Sequence, residues 1–408
     1  MLGLLLLWAS LSMACVFFVG APLWVFFKNF IPMKIPAGIS HPKKLLLFYC
    51  TYELVFTWGK ILEKMNICSM GKFVRFLHDL APLRKDPDVV VTDLRFGTIP
   101  VKVYQPRNSC STLRTGILYY HGGGALVGSL KTYHAICLNL CKESDSVVLS
   151  IGYRKMPDCK YPVIFTDCMA ATVQFLKSLS SFGVDPARVV VGGDSIGGSV
   201  AVVMCQQLLK SPHLPKIRAQ MVIYAGLQCL DFQSPANQQN NVPFVTRSFT
   251  LQYLMAYLNI DPSWKRDMIT GANMPPQIRE KYRKWLGHEN IPERFKQKGY
   301  CQKPAPPLND LAYQETRIVL ELNMSPLLEE DEVMSQMPEA FIVSCEYDYF
   351  RDHSLLYKKR LEDLGIPVTW FHVEDGFHGA LAVIDIPFLY FPCSRRIMNA
   401  MVNFIKRL

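Results

Sequence analysis

The amino-acid sequence predicts a fold of the α/β class, in which helices wrap a mostly parallel sheet of eight strands. Short β-rich runs recur from Val89 onward, and the intervals between the later runs show the apolar spacing that is typical of helices. This alternation indicates a parallel sheet, whereas the first two runs are close enough to form an antiparallel hairpin. The predicted strands are residues 89–96, 101–105, 116–121, 147–153, 189–193, 221–224, 340–345 and 368–373.

Composition and charge limit the classes of protein to which this chain can belong. With 408 residues, 50% of them hydrophobic, the chain can bury a large core, and one large domain with an appendage fits its length. The net charge is +10, but the basic residues are scattered and the denser stretch at 279–303 is interrupted by apolar residues. We therefore predict no nucleic-acid partner, and we interpret that stretch as a solvated basic face.

The cysteines do not indicate a metal site. The 13 cysteines include no C-x-x-C pair, and Cys137 and Cys141, four residues apart on a predicted helix, are interpreted as small core residues. No Walker lysine or dinucleotide fingerprint accompanies the glycine-rich segments. The sequence therefore predicts neither a metal nor a cofactor.

The N-terminal segment is a candidate membrane anchor. Residues 2–27 contain no charged side chain, and a helix of this length, about 39 Å, is long enough to cross a bilayer with some tilt. A cleaved signal peptide is the alternative, but the apolar run is longer than usual and no basic residue precedes it. We predict a transmembrane signal-anchor at residues 1–28. The lysines that follow it, from Lys28 onward, favour a cytoplasmic body by the positive-inside rule.

Two further regions complete the predicted organisation. Residues 29–84 are expected to form N-terminal cap or membrane-proximal helices, and residues 85–408 the main domain. The apolar stretch 45–58 carries Glu53 at its middle, which suits a helix that covers a pocket or lies on the membrane surface better than one that spans a bilayer. An interval at about 230–338 breaks the alternation, and it is predicted to be a helical cap inserted over the carboxyl ends of the strands.

A serine between glycines is the candidate nucleophile. The β-branched run 189–191 leads into Gly193-Asp194-Ser195-Ile196-Gly197, and a helical pattern follows. A serine on a sharp strand-to-helix turn exposes its hydroxyl, and the crowded backbone there tolerates only small neighbours two positions to either side. The pentapeptide alone is a weak signal, so the prediction depends on partners elsewhere.

A histidine and a carboxylate are needed to activate that serine. His378 lies in a glycine-bounded loop after the last predicted strand, whereas His372 falls inside the strand and is interpreted as a packing or surface residue. After the seventh strand Asp348 is the best placed acid. Glu346 is expected at the strand's end, and an N-cap role would explain Asp352.

The resulting chain order, Ser195, Asp348, His378, is that of the α/β-hydrolase fold and not that of the chymotrypsin or subtilisin folds. The segment 121–124, one histidine and three glycines, directly follows the third predicted strand and supplies candidate oxyanion donors. We predict that the backbone N–H groups of Gly122, Gly123 and Ile196 form the hole, while His121 braces the loop. Gly124, Gly193, Asp194 and Gly197 complete the supporting motifs.

Together these motifs resemble the hormone-sensitive-lipase group of α/β hydrolases, and within it the arylacetamide deacetylases. The matching motifs span roughly residues 85–408 and include Tyr153-Arg154 with Pro157, Arg351-Asp352, and Asp375-Gly376-Phe377-His378-Gly379. The resemblance implies a single-pass type II protein of the endoplasmic reticulum with a lumenal body. It also implies lipophilic ester or amide substrates, and it assigns the triad to Ser195, Asp348 and His378.

The chain departs from the family pattern beside the nucleophile. Ala125 stands where an aromatic residue is usual, Ile196 where alanine is usual, and Ser199 where asparagine is usual. These changes keep the catalytic groups but alter the nearby volume, so we expect a shifted substrate range. Asn323-Met324-Ser325 is the one standard glycosylation acceptor, and Pro326 after it disfavours modification.

We therefore expect a membrane-anchored serine hydrolase that cleaves carboxylic esters, and in second place acetamides, through an acyl-enzyme. The expected partners are a lipophilic small-molecule substrate and membrane lipid; protein partners are left open. A non-catalytic ligand-binding protein on the same fold is the alternative function.

Overall fold

The computed structural model describes residues 8, 12, 14–30, 35–36, 38–108, 112–238, 244–296, 300–304, 306–384, 386 and 390–408. An eight-stranded sheet forms its centre, and every predicted strand is present. The strands are β1 (Val89–Phe96), β2 (Ile99–Pro106), β3 (Arg114–Tyr120), β4 (Val147–Ile151), β5 (Val184–Asp194), β6 (Ala219–Ile223), β7 (Glu339–Tyr347) and β8 (Val368–Phe377).

The sheet has the strand order β1-β2-β4-β3-β5-β6-β7-β8. The first two strands form the predicted antiparallel hairpin, β2 also pairs antiparallel with β4, and the other pairs are parallel. The central strands β3 to β6 are buried on both faces, which explains their continuous apolar runs. Apolar clusters on the two faces form the core.

Helices cover both faces of the sheet and build the cap. They are α1 (Val16–Lys28), α2 (Pro42–Lys64), α3 (Met70–Asp79), α4 (His134–Ser144), α5 (Val163–Lys177), α6 (Ile196–Leu208), α7 (Pro235–Gln238), α8 (Arg247–Leu258), α9 (Lys265–Thr270), α10 (Pro276–Leu286), α11 (Asp310–Thr316), α12 (Asp331–Met334), α13 (Arg351–Asp363) and α14 (Pro392–Lys406).

Several helices of the cap begin after a residue whose side chain accepts a hydrogen bond from the first helical turn. Ser69, Thr246 and Asn309 each accept a hydrogen bond from the backbone N–H three residues later, which satisfies one of the unpaired donors at the first turn of α3, α8 and α11. Helices α7 to α12 lie between β6 and β7, where the cap insertion was predicted. The cap has a second part, because α2 and α3 also cover the carboxyl ends of the strands.

The predicted anchor at residues 1–28 lies partly outside the described residues. Within them, α1 exposes large apolar side chains such as Phe18, Trp24 and Phe27. In the described ranges, α2 is the helix whose length and composition suffice to cross a membrane. One face of α2 nevertheless lines an internal cavity with Phe48, Tyr52 and Phe56, which agrees with the prediction of a pocket-covering helix for residues 45–58.

Candidate active site

Three side chains meet at the carboxyl ends of the strands. Ser195 directly follows β5, Asp348 follows β7 and His378 follows β8. The Ser195 hydroxyl lies 2.9 Å from His378 Nε2, and His378 Nδ1 lies 2.9 and 3.0 Å from the two carboxylate oxygens of Asp348. Because Nδ1–H donates to the carboxylate, Nε2 is left to accept the serine proton. The structure thus brings the three predicted residues together.

Ser195 occupies a strained backbone conformation. Its φ of 55° and ψ of −125° lie in a region that residues other than glycine rarely adopt, at a cost of about 1–3 kcal/mol. A Cβ atom on Gly193 would lie 2.3 Å from the carbonyl oxygen of Tyr120, and one on Gly197 would lie 2.0 Å from the same oxygen. The predicted need for small neighbours therefore has a specific cause, which is the close approach of β3.

The surroundings of Asp348 and His378 are dry and aromatic. Asp348 is fully buried, and one of its oxygens also accepts a hydrogen bond from the Phe350 N–H at 2.8 Å. The rings of Tyr224 and Phe350 lie 5.0 and 5.4 Å from the His378 ring. Burial lowers the effective dielectric constant and strengthens the contact between the imidazole and the carboxylate.

The competing acids and histidine have other partners. Glu346 remains in β7, as expected, and pairs with Arg351 at 2.9 Å and with His372 at 3.1 Å. His372 also lies 2.9 Å from the Ser344 hydroxyl, so it is the satisfied packing residue that the sequence suggests. The N-cap interpretation of Asp352 is wrong, because this residue is inside α13 and its carboxylate accepts a hydrogen bond from the N–H of Ala236 at 2.6 Å.

Asp194 holds the glycine-rich loop in place, a role that the sequence reasoning missed. Its carboxylate accepts hydrogen bonds from the Gly122 N–H at 3.0 Å and from the hydroxyls of Tyr119 and Tyr133 at 3.1 and 2.9 Å. Burial raises the pKa of Asp194 to about 6, against these hydrogen bonds and the nearby His378, which lower it. The available signal was an acid between Gly193 and the candidate nucleophile, at the buried end of a strand, where it needs partners.

This geometry corrects one predicted oxyanion donor. The N–H of Gly122 points to Asp194, and Gly122 is absent from the lining of the cavity in the described part of the chain. Gly123 and Gly124 line the cavity together with Ile196, and both glycines adopt positive φ angles, of 110° and 60°. Gly122 therefore braces the loop.

His121 supports the loop as predicted. Its ring stacks on Tyr153 with a centroid distance of 4.2 Å, and its Nδ1 lies 2.7 Å from the carbonyl oxygen of Gly122. The Tyr153 hydroxyl donates a hydrogen bond to the His121 carbonyl at 2.6 Å. Burial lowers the pKa of His121 well below its usual range, so the ring is a neutral structural element.

A cavity of about 740 Å³ opens beside Ser195 and His378. Its walls come from both parts of the cap: Phe48, Tyr52 and Phe56 lie on α2, whereas Phe249 and Tyr253 lie on α8. Aromatic contacts join the two parts, because Phe56 lies 5.9 Å from Phe249 and Phe244 lies 4.8 Å from Phe48. The cavity therefore suits an uncharged, lipophilic ligand.

The glycosylation prediction at Asn323 disagrees with the structure. Asn323 lines the cavity, its Oδ1 accepts a hydrogen bond from Gln207 at 2.7 Å, and its Nδ2 lies 3.3 Å from the Tyr161 hydroxyl. Ser325 of the same acceptor sequence is fully buried. A glycan on Asn323 would have to occupy the ligand space. Among the described residues, no group of three or more metal-ligating side chains comes together.

The fold and the triad-like geometry are those of an α/β hydrolase, and the family profile described as alpha/beta hydrolase fold matches residues 117–275 and 304–382. Arylacetamide deacetylase-like 3 from Homo sapiens is 58% identical over 399 residues, which are 98% of each chain. Arylacetamide deacetylase from Bos taurus is 32% identical over 94% of this chain and 96% of its own. The chain belongs to the arylacetamide deacetylase family.

Solved structures agree on the fold. Carboxyl esterase 2 from the fungus Tuber melanosporum has a TM-score of 0.60 and 22% identity over 79% of this chain and 88% of its own. A thermostable esterase from Pseudomonas putida has a TM-score of 0.61 and 19% identity over 86% of this chain and 96% of its own. The predicted fold, family and enzyme class, a carboxylic ester hydrolase, are confirmed.

Proposed function

We propose that this protein is a membrane-anchored serine hydrolase that cleaves carboxylic esters of lipophilic compounds through Ser195, His378 and Asp348. The observation that carries the proposal is the pair of contacts on His378, with the serine hydroxyl 2.9 Å from one ring nitrogen and the buried Asp348 carboxylate 2.9 Å from the other. This arrangement supplies a nucleophile, a base and a group that orients the base.

The reaction has two halves. His378 Nε2 takes the hydroxyl proton while Ser195 Oγ attacks the ester carbonyl carbon, and the proton then passes to the departing alcohol as the bond to its oxygen breaks. A water molecule, deprotonated by the same imidazole, next attacks the acyl-enzyme and releases the acid. Asp348 stabilises the imidazolium that forms in each half, which requires the contact with Nδ1.

The oxyanion of each tetrahedral intermediate would be stabilised by backbone N–H groups of Gly123, Gly124 and Ile196. Gly123 and Ile196 were predicted from the sequence; Gly124 replaces Gly122, because the Gly122 N–H donates to Asp194. The N–H of Ile196 is the first of α6 and has no intrahelical acceptor. Loss of one such donor typically costs about 3 kcal/mol in the transition state.

Esters are proposed as the first substrate class because an alcohol leaves more readily than an amine. The names of the relatives add arylacetamides as the second class. Ala125, Ile196 and Ser199 line the cavity, so the departures from the family pattern lie where the substrate binds. We propose that they shift the range of accepted substrates.

The apolar N-terminal segment is proposed to be the anchor. Helix α1 exposes Phe18, Leu23 and Phe27 at 70%, 51% and 61% of their surfaces, which is costly in water and favourable in a bilayer. We propose the type II topology that the family resemblance implies, with the body in the lumen of the endoplasmic reticulum. The lysines after the segment favour the opposite orientation, so the topology needs a direct test.

A fluorophosphonate probe tests the proposed chemistry. The wild type should be labelled and lose esterase activity, whereas Ser195→Ala should neither be labelled nor hydrolyse esters. Ser199→Ala is the matched control, because it removes a nearby hydroxyl that donates instead to the Gly226 carbonyl oxygen. If folded wild-type protein resists the probe and hydrolyses no ester, the non-catalytic ligand-binding function is favoured.

Protease treatment of intact microsomes tests the topology. A lumenal body should be digested only after the membrane is permeabilised. An engineered glycosylation acceptor at the exposed Leu311 of α11 would be glycosylated only in the lumen. Digestion in intact microsomes would reverse the proposed orientation without affecting the proposed chemistry.

A further inference from the structure

One wall of the cavity reaches the protein surface beside the N-terminal part of the cap. Leu83 and Ile386 line the cavity, yet 38% and 42% of their surfaces are exposed. A residue that is both cavity lining and exposed marks the place where the cavity opens. The mouth therefore lies between the segment that follows α3 and the segment that precedes α14.

The mouth continues into an exposed apolar face. Phe76 and Leu80 are four residues apart at the end of α3, which puts them on one side of the helix, and each is 61% exposed. The same helix buries Met70 and Val74 on its other side. Exposure of two large apolar residues next to a cavity mouth calls for a partner.

The charges around the mouth fit an anionic surface. Among the described residues that line the cavity, the side chains with a full charge at neutral pH are Arg84, Lys131 and Asp194. Asp194 is buried and its oxygens accept hydrogen bonds from the protein. Arg84 and Lys131 are exposed, and the Arg84 guanidinium lies 3.9 Å from the Asp86 carboxylate. An apolar face bordered by cations is typical of a surface that binds phospholipid head groups.

The proposed anchor contacts a helix that also lines the cavity. The ring of Phe17 on α1 stacks on Trp58 of α2 with a centroid distance of 5.1 Å, and Trp58 Nε1 donates a hydrogen bond to the Phe17 carbonyl at 2.7 Å. Helix α2 lines the cavity with Phe48, Tyr52 and Phe56. The anchor and the cavity thus contact the same helix.

We propose that Phe76, Leu80, Leu83 and Ile386 form a docking face that binds the phospholipid leaflet, with Arg84 and Lys131 at its phosphates, so that lipophilic esters pass from the bilayer directly into the cavity. The inference rests on the proposed function, because it needs both the anchor and ester hydrolysis. It adds the surface that binds lipid, and it identifies the substrate class as esters dissolved in the membrane.

The test compares two substrates with the full chain reconstituted in vesicles of phosphatidylcholine and phosphatidylserine. p-Nitrophenyl acetate reaches the site from water, and a long-chain p-nitrophenyl ester resides in the bilayer. The double variant Phe76→Glu, Leu80→Glu changes neither a cavity-lining residue nor a triad residue. It should reduce kcat/KM for the long-chain ester at least about tenfold, because two apolar contacts with the lipid are lost, and leave acetate hydrolysis within twofold of the wild type.

Leu311→Glu is the matched control, since Leu311 is 69% exposed on α11 and does not line the cavity. It should alter neither rate, and Phe76→Leu with Leu80→Met should restore the long-chain rate. The docking face is refuted if the double variant hydrolyses both esters like the wild type, or if both rates fall together. Wild-type protein that hydrolyses neither ester would instead refute the proposed function.

Discussion

Replacement of Asp194 tests whether one buried carboxylate holds the oxyanion loop. Asp194→Ala removes the acceptor of three hydrogen bonds, from the Gly122 N–H and the hydroxyls of Tyr119 and Tyr133. Each buried group left unpaired costs about 1–3 kcal/mol. Since Gly122 is next to the proposed donors, the loop should move, and loss of about one donor's effect predicts a kcat about 100-fold lower with KM within threefold.

Burial of the ionised Asp194 carboxylate also lowers the free energy of unfolding. Burial raises the pKa of Asp194 from 3.8 to about 6, which corresponds to about 3 kcal/mol. The folded protein binds the Asp194 proton more tightly than the unfolded chain does. Protonation of Asp194 therefore stabilises the fold below about pH 4, and this stabilisation is lost as the pH rises to about 6. In Asp194→Asn the amide oxygen can still accept from Gly122 and Tyr119, so kcat should stay within about tenfold.

Kinetics with p-nitrophenyl butyrate and urea unfolding at pH 4.5 and pH 7 measure these effects. Relative to the wild type, Asp194→Asn should gain free energy of unfolding between the two pH values, because the raised pKa applies only to the acid. Tyr119→Phe is the control for loss of a single hydrogen bond, with an expected cost of about 1 kcal/mol. If Asp194→Ala keeps a kcat within threefold of the wild type, Asp194 does not position the loop.

Three further predictions concern other sites. Burial lowers the pKa of His353 from 6.5 to about 4. The free energy of unfolding of the wild type should therefore fall by up to about 3 kcal/mol as the pH drops from 6.5 to 4. Urea unfolding should show a smaller fall in His353→Gln. Ala125→Trp should lower the rates for long acyl chains more than for acetate in a p-nitrophenyl ester series, because Ala125 lines the cavity; an unchanged profile would contradict this. Ser40→Ala removes the 2.6 Å hydrogen bond to Asp375 near His378 and should lower kcat severalfold, while the final extent of Ser195 labelling by the fluorophosphonate stays the same. An unchanged kcat would show that this contact does not position the loop that carries His378.

Local sequence determines the strands and the nucleophile turn. The runs Ile117–Tyr120 and Val189–Val191 are apolar because both faces of these strands are buried, so a sheet is evident without any contact information. The glycines around Ser195 follow from sterics at a single turn. The positions of Asp348 and His378 follow in turn from a topological rule, because parallel strands end at the same edge of the sheet.

Contacts between segments far apart in the chain could not be predicted from local sequence. Gly122 and Asp194 are 72 residues apart and Asp352 and Ala236 are 116 apart. In each pair a side chain satisfies a backbone N–H whose direction depends on packing between elements. The sequence shows that a loop has free donors or that an acid begins a helix, but it does not show which donor faces the ligand.

The cap insertion performs two separate tasks. In the described part of 230–338, the residues that line the cavity belong to segments near Phe232, to 244–257 and to 323–324, and none belongs to 276–296. Residues 276–296 also lie between the two ranges that the family profile matches, 117–275 and 304–382. This region instead contacts helix α13: the Arg360 guanidinium lies 3.6 Å from the centre of the Trp285 ring on α10, and Arg351 donates to the Phe295 carbonyl at 2.6 Å.

This division predicts different consequences for changes in the two regions. Trp285→Ala removes the aromatic partner of the buried Arg360 and should lower the free energy of unfolding by about 3–5 kcal/mol, with kcat/KM of the remaining folded protein unchanged. Tyr253→Ala in the cavity wall should alter the acyl-chain profile with a smaller loss of stability. Urea unfolding and ester kinetics on both variants separate the two effects. A changed chain-length profile in Trp285→Ala would mean that the region outside the family match also shapes the cavity.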